Sequence, residues 1–600
     1  MLRSRAHTCA ESTGFSFLAD GRNPLESLTF SELDRAARAI AAGLSSHRAE
    51  GERCLILLPQ GLDYIKAFFG CLYAGVIAVP AAPPGATRDA GRLERILLDC
   101  EPKFAFVSKA DRIDQAAAQP NAPVRLSISD FDGAEAGWVL PQISAGSLAY
   151  LQYTSGSTAD PKGVKVSHAN VLHNLAGIDA GFRHDADSRS VTWLPFYHDM
   201  GLVYGMLQPV YNGFPAFVMA PVSFVQRPVR WLQAISAFRA THSGAPNFAY
   251  DLCVDQISAE ERAALDLSNW AVAFNGAEPV RERTLERFAA AFAPSGFRKS
   301  AFYPAYGLAE ATLKVSGGVR DEGVHVLSHS SGTQSAISCG RVIADTVVAI
   351  VNPETGVECP AGTSGEIWVS GPSVSSGYWN RPDETSEKFA ATLHSHPGKL
   401  FLRTGDIGIL SDGELLITGR LKGMIIVRGV NYYAEDLEEA VYQLTGQPRS
   451  LALAVFGFTE AEIERVAIVV EVNPRDRKNL RQLAQQIRQT TYEQHLLHAH
   501  SVIFVRRGKI LKTSSGKVRR AATRDLYLSG ELDLLSESIV EESLDHNDGV
   551  PPATLLADRQ ALAPTSRRAA LVDRLAAIVS QIIKRPVGPE NARQPLVILG

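Results

Sequence analysis

Along the first 300 residues, helical and strand periodicities alternate. In LTFSELDRAARAIAAGL, Thr29 and Glu32 stand in capping-box spacing before an apolar stripe at Leu33, Ala36, Ala37, Ile40 and Leu44, which predicts an amphipathic helix with a defined start. CLILLP, VIAVPA, FAFVS, LAYLQYT and SVTWLP are short apolar or β-branched runs separated by helical segments, the pattern of parallel strands covered on both faces. The fold class expected is therefore α/β. From about 340 to 420 the turn signals NPETG, PAGTSG and SDGE come close together and predict a β-rich module attached to that α/β core. Beyond Arg420 a second α/β pattern begins. A helix is entered at Glu435, LALAVFGF and VAIVVEV read as strands, NLRQLAQQIRQTTYEQ as a helix and SVIFVRR as a strand before a Gly/Lys loop. The expected organisation is a large unit over 1–420, a small one over 421–533 and a polar linker over 534–566. A further segment, 567–600, carries an apolar stripe at Leu571, Leu575, Ile578, Val579 and Ile582 that needs a partner surface.

Two long uncharged stretches, near 67–87 and 200–226, raise the question of membrane spans. Pro80, Pro83, Pro84, Pro209, Pro215 and Pro221 would break such helices repeatedly, so both are expected in buried core, with no membrane span. The N-terminus has two arginines but no apolar run of signal-peptide length before Glu11 and Asp20. Sixty Lys plus Arg balance 64 Asp plus Glu, which argues against a partner held mainly by phosphate neutralisation, and no nucleic acid is expected. The 7 cysteines are scattered without a CxxC pair, so neither a disulfide framework nor a zinc knuckle is indicated, and a reducing, cytoplasmic location is expected.

One loop carries candidate chemistry by its composition. LAYLQYTSGSTADPKGVKV places a strand, then a Thr/Ser/Gly-rich loop, then Lys162. Backbone amides and hydroxyls in such a loop can cradle a polyphosphate while the lysine neutralises it, although the spacing is not that of a Walker loop.

YTSGSTADPKGV resembles the phosphate loop of the adenylate-forming superfamily, which joins carboxylic acids to AMP using ATP. AFYPAYGLAEATL, FLRTGDIG, TGRLKGMIIVRGVNYYAEDLE and LKTSSGKVRR follow in that superfamily's order, from about residue 10 to 530. Within it, WLPFYHDMGL, FNGAEPV and YGLAEATL are most similar to fatty acyl-AMP ligases, which activate fatty acids for carrier proteins. The resemblance implies ATP and Mg²⁺ as cofactors and a fatty acid as substrate. Residues 200–226 and HSGAPNFAY could wall an apolar acyl tunnel, and core packing explains them equally well.

Carried over by position, the resemblance assigns Thr154, Ser155, Gly156, Ser157, Thr158 and Lys162 to the ATP phosphates. Asn275, Gly276, Ala277 and Glu278 match the adenine-side wall, and Tyr306 and Gly307 the residues against the base and α-phosphate. Glu310 matches the Mg²⁺ carboxylate, with Thr158 as a helper; Asp406 and Arg420 match the ribose contacts and Lys422 the hinge. Lys517 matches the mobile lysine of the adenylation step, and His198 borders the carboxylate site. Each has an ordinary alternative: a helix-start carboxylate for Glu310, a core or surface histidine for His198, solvated lysines for Lys422 and Lys517.

The sequence departs from the superfamily pattern at Leu511, Gly423 and Ala434, and the segment 311–338 is shorter than the characteristic insertion of the fatty acyl-AMP ligases. The final helix, with PVGPENARQPLVILG after it, resembles the start of an acyl carrier protein, cut before its phosphopantetheine serine. A carrier fused downstream, in a polyketide or lipopeptide synthase, is the partner this implies. The competing readings are an acyl-CoA synthetase using free coenzyme A and a catalytically silent nucleotide-binding scaffold.

Overall fold

The structure is a computed structural model that describes residues 1–83, 90–108, 122–154, 161–328, 335–427, 430–447, 451–460, 463–473, 479–495, 497–512 and 517–539. The capping box forms as its spacing requires. The backbone N–H of Glu32 donates to Thr29 Oγ1 at 3.1 Å and that of Thr29 to the Glu32 carboxylate at 2.9 Å, opening the helix Phe30–Ser46. Leu33, Ala37, Ile40 and Leu44 of its stripe are buried.

The five apolar runs are strands, divided between two sheets. A six-stranded sheet runs Val124–Leu126, Phe104–Phe106, Arg53–Ile56, Ile77–Pro80, Leu148–Tyr153, Gly163–Ser167; all are parallel to their neighbours except the last, which returns antiparallel after the Thr/Ser/Gly-rich loop. The second sheet has 14 strands. Its parallel part orders Thr13–Leu18, Ala216–Met219, Ser190–Thr192, His242–Gly244, Val272–Asn275 and Phe302–Gly307. The uncharged stretches are core over much of their described length: the helix Leu62–Tyr73 is mostly buried and Met200–Leu207 is a wholly buried π-helix, whereas Val222 and Val225 near the end of the second stretch are exposed and 84–87 lie outside the described residues. Among the described residues no helix is long and apolar enough to cross a membrane.

The strand-rich text of 340–420 is hydrogen-bonded into the same large sheet. Beyond Phe302–Gly307 the pairing turns antiparallel through Lys314–Gly317, Ser335–Val342, Glu414–Arg420, Leu402–Ser411, Gly365–Ser370 and Val347–Val351. Asp406 and Arg420 are thereby cross-strand neighbours.

After the 3₁₀ turn Leu421–Gly423, which contains Lys422, come the ribbon Met424–Val427/Val430–Tyr433 and a four-stranded sheet, Leu453–Glu460, Ile463–Val472, Ser501–Arg506, Leu534–Ile539. The last strand corrects the expected linker, whose first six residues lie in this sheet. LLSESI is a partly exposed edge strand, so its polar face reads as linker text, and Arg488 binds the Ser538 hydroxyl from the neighbouring helix at 3.0 Å. Residues 540–600, including the rest of the linker and the carrier-like segment, lie outside the described residues. This sheet has its own core of Leu437, Val441, Val455, Ile468, Ile487 and Phe504.

Inside it Glu471 is buried and accepts three backbone N–H groups, from Ala452 at 2.9 Å, Gly508 at 2.8 Å and Ile510 at 3.0 Å. The carboxylate thus grips the turn that leads to Lys517. Glu471→Ala leaves those donors buried and unpaired and is expected to cost at least ~3 kcal/mol in chemical denaturation followed by far-UV circular dichroism.

Candidate active site

At one end of the site, the strand Leu148–Tyr153 delivers Thr154, whose N–H donates to the Lys162 carbonyl at 3.2 Å and whose own carbonyl accepts from Arg92 at 2.9 Å. Ser155, Gly156, Ser157 and Thr158 lie outside the described residues. Lys162 forms an ion pair with Glu384, and its Nζ stands 5.3 Å from the centre of the Tyr378 ring. Residues 377–379 are zipped to the strand after the loop, Lys165 N–H to Gly377 O at 2.9 Å and Trp379 N–H to Gly163 O at 2.7 Å. This fixes Tyr378, whose hydroxyl donates to Glu310 Oε1 at 2.8 Å. Lys162, Glu384, Tyr378 and Glu310 therefore form one continuous cluster.

The second cluster is built by strand register. Asp406, 4% exposed, accepts from Arg420 Nε on Oδ1 and from the Tyr306 hydroxyl on Oδ2, both at 2.7 Å. Burial and the Asp406 charge push the Tyr306 phenol well above its ordinary range, and the Asp406 charge raises the Arg420 guanidinium. Gly307 follows Tyr306, and a Cβ there would meet the Leu313 carbonyl at 1.7 Å, so only glycine permits this pairing. Opposite lies a tight turn at the end of the strand Val272–Asn275. A Cβ on Gly276 would meet the Ala305 carbonyl at 2.8 Å, and Ala277 has φ +72°. Asn275 donates to Asn247 Oδ1 at 3.1 Å, while its own buried oxygen and Glu278 Oε1 have no hydrogen-bond partner among the described residues.

The third cluster comes from WLPFYHDMGL. His198 Nδ1 lies 2.6 Å from Asp199 Oδ1, with the two side chains 19% and 13% exposed. Lys517 completes the site. Its ammonium faces Arg420, Glu278, Asp199 and Asp406; burial and then Arg420 push it below the ordinary lysine range, against the three carboxylates. A surface lysine would have none of these neighbours. The half-buried Lys517, which belongs to the C-terminal part of the chain, thus stands among charged groups from the N-terminal part.

A model described as AMP-binding enzyme matches residues 5–379, and one described as Disco-interacting protein 2-like, AMP domain, matches 422–537. The chain belongs to the AMP-binding enzyme family. This AMP-binding enzyme is 43% identical over 563 residues to the medium-chain-fatty-acid–[acyl-carrier-protein] ligase JamA of Moorena producens, covering 89% of this chain and 95% of the relative. It is 36% identical over 565 residues to a putative fatty-acid–CoA ligase, FadD21, of Mycobacterium tuberculosis, covering 88% and 97%. The crystal structure of a fatty acyl-adenylate ligase from L. pneumophila, in complex with acyl adenylate and pyrophosphate, matches with a TM-score of 0.69 at 37% identity, over 90% of this chain and 97% of that one.

Of the residues singled out by sequence, the structure of this AMP-binding enzyme gathers Glu278, Asp406 and Arg420 about Lys517, with Asn275, Gly276 and Ala277 leading into Glu278, Tyr306 and Gly307 beside Asp406, and His198 reached through Asp199. Arg420 also faces Glu310, which connects the two carboxylate clusters. Sequence reasoning missed Asp199, Tyr378 and Glu384. Asp199 was legible as the residue after His198, whereas Tyr378 and Glu384 lie more than 200 positions from Lys162 and only the folded chain pairs them.

Because burial and Arg420 disfavour its charged form, Lys517 is expected to lose its proton below the value of about 10.4 typical of an exposed lysine. Arg420→Ala removes the repelling guanidinium and should move the midpoint up. Competitive acetylation across a pH series, read by peptide mass spectrometry, checks both shifts.

Proposed function

We propose that this AMP-binding enzyme is a fatty acyl-AMP ligase. It condenses a fatty acid with ATP to an acyl-adenylate and pyrophosphate, then passes the acyl group to the phosphopantetheine thiol of an acyl carrier protein, the acceptor for which the Moorena producens relative is named. The observation that carries the reading is Lys517 facing Asp406, Arg420, Glu278 and Asp199 across one cleft. A cation there suits a reaction in which two anions must meet.

In the first step a carboxylate oxygen attacks the α-phosphorus, the P–O bond to the β-phosphate breaks, and pyrophosphate leaves with the electron pair. Lys517 bridges the carboxylate and the α-phosphate oxygens, lowering their repulsion as the bond forms. Asp406 receives the ribose hydroxyls, its orientation set by Tyr306 and Arg420. Asn275, Gly276, Ala277 and Glu278 flank the base, with Gly307 beside it. Lys162 exchanges Glu384 for the polyphosphate, alongside Thr154, Ser155, Gly156, Ser157 and Thr158. His198 borders the fatty-acid carboxylate.

Glu310 fits a Mg²⁺ ligand. Tyr378 holds its Oε1, and Oε2, which accepts no hydrogen bond among the described residues, offers a hard anionic donor, with Thr158 beside it in the assignment. The ion would supply neutralisation of the departing pyrophosphate.

In the second step the carrier thiolate attacks the acyl carbon, the C–O bond to the phosphate breaks, and AMP departs. The part after Arg420 would rotate about Lys422 between the two steps, withdrawing Lys517 and admitting the thiol. The units 1–420 and 421–533 are the moving bodies in this scheme, and 567–600 begins a fused carrier.

Lys517→Ala is expected to lower acyl-AMP formation at least ~100-fold while leaving ATP affinity, by calorimetry, within a few-fold. Mass spectrometry of products from a graded fatty-acid series with Mg²⁺-ATP, with and without coenzyme A, tests the acceptor. Acyl-AMP that coenzyme A does not consume is the expected result; acyl-CoA would move the protein to the class for which FadD21 is named, and no turnover to a silent scaffold.

A further inference from the structure

We infer that Asp199 is the positioning residue for the carboxylate end of the site, holding the His198 ring through Nδ1 and setting a fixed negative charge against Lys517. The inference rests on the acyl-AMP reading above.

Ordinary helix capping does not account for this side chain. Asp199 Oδ1 accepts from Met200 N–H at 2.7 Å, its immediate neighbour, and its own backbone is already helical at φ −52°, ψ −46°. A capping residue has an extended backbone and serves the N–H two or three positions on. Nor is Asp199 a surface charge: its side chain is 13% exposed, and a carboxylate that deep persists only with counter-charges or hydrogen bonds around it. Those partners are groups of the site. His198 Nδ1 lies 2.6 Å away, Lys517 faces the same carboxylate, and Tyr150 faces it from the six-stranded sheet. Burial pushes the acid up, yet His198, Met200 N–H and Lys517 together hold it below the ordinary carboxylate range.

The backbone around the pair allows little play. His198 N–H donates to Pro195 O at 3.0 Å and Leu202 N–H to His198 O at 2.8 Å, while a Cβ on Gly201 would lie 2.1 Å from the Pro195 carbonyl. On this backbone Asp199 takes Nδ1 of the ring, which leaves Nε2 on the side of the ring away from Asp199. Lys517 is faced by Asp199, by Glu278 from the turn after Val272–Asn275, by Asp406 from Leu402–Ser411, and by Arg420 from Glu414–Arg420. Asp199 is the member of that set that also touches His198. It therefore couples the ring beside the fatty-acid carboxylate to the charge state of the lysine.

The test uses the full chain and Asp199→Asn, which keeps an oxygen for Met200 N–H but removes the charge. The expected result is a fall in kcat for pyrophosphate release of at least tenfold, with KM for ATP within twofold. The alkaline limb of the pH profile should move to lower pH, because Lys517 loses its proton sooner without the facing anion. Competitive acetylation of Lys517 should show the same downward shift without any turnover, and Asp199→Glu should restore it. A fall in kcat with both midpoints unchanged, or unchanged kcat and midpoints, would overturn the inference. Wild-type protein that makes no acyl-AMP would sink the proposed function instead, and the Lys517 labelling midpoints would still decide this one.

Discussion

The rest of the site depends on a single carboxylate held from two sides. Asp406 is buried on a strand of the antiparallel part of the large sheet, and its two oxygens are taken by Tyr306 from the strand where parallel pairing ends and by Arg420 from the neighbouring strand. A charge buried this deeply is tolerable only because both partners are in place, which ties the register of three strands to one electrostatic requirement. Arg420 is also the last residue of the large sheet before the chain turns into its C-terminal part. The clamp therefore fixes the point from which that part departs, and with it the reach of Lys517.

Around this clamp the charges alternate. Arg420 repels Lys517, while Glu278, Asp199 and Asp406 attract it, so the ammonium is drawn into the cleft without being locked to any one acid. At the other end Lys162 is tied to Glu384 and Glu310 to Tyr378. Three cations and five carboxylates thus make up the charged groups of the site.

Most elements were legible because their signals are local. Thr29 and Glu32 sit three apart and close a box that depends on nothing else in the chain. The strands from CLILLP to SVTWLP were readable from unbroken apolar runs, but their division between two sheets was not, since pairing is decided by contacts far apart in sequence. Leu534–Ile539 was misread as linker because an edge strand solvated on its outer side needs no apolar alternation. Among the site residues, Asp406 and Arg420 stood in recognisable motifs. Glu384 did not: nothing near it in sequence marks it as the counter-ion of a lysine 222 positions away. Asp199 lay in plain view beside His198, yet its role depends on a depth of burial that no spacing encodes.

The pairing of Lys162 with Glu384 bears on how tightly a polyanion is held. A lysine that waits bare in solvent gains a full ion pair when phosphate arrives and sheds small ions in doing so, which makes affinity fall steeply with added salt. In the proposed reaction one partner would be traded for another, so the number of ion pairs at this lysine would be conserved and the free energy of capture would be a difference between two similar attractions. The internal carboxylate works as a resident competitor. Under the proposed function it would disfavour stray inorganic anions and leave selectivity to ligands long enough to reach both Lys162 and the Asp406–Arg420 pair.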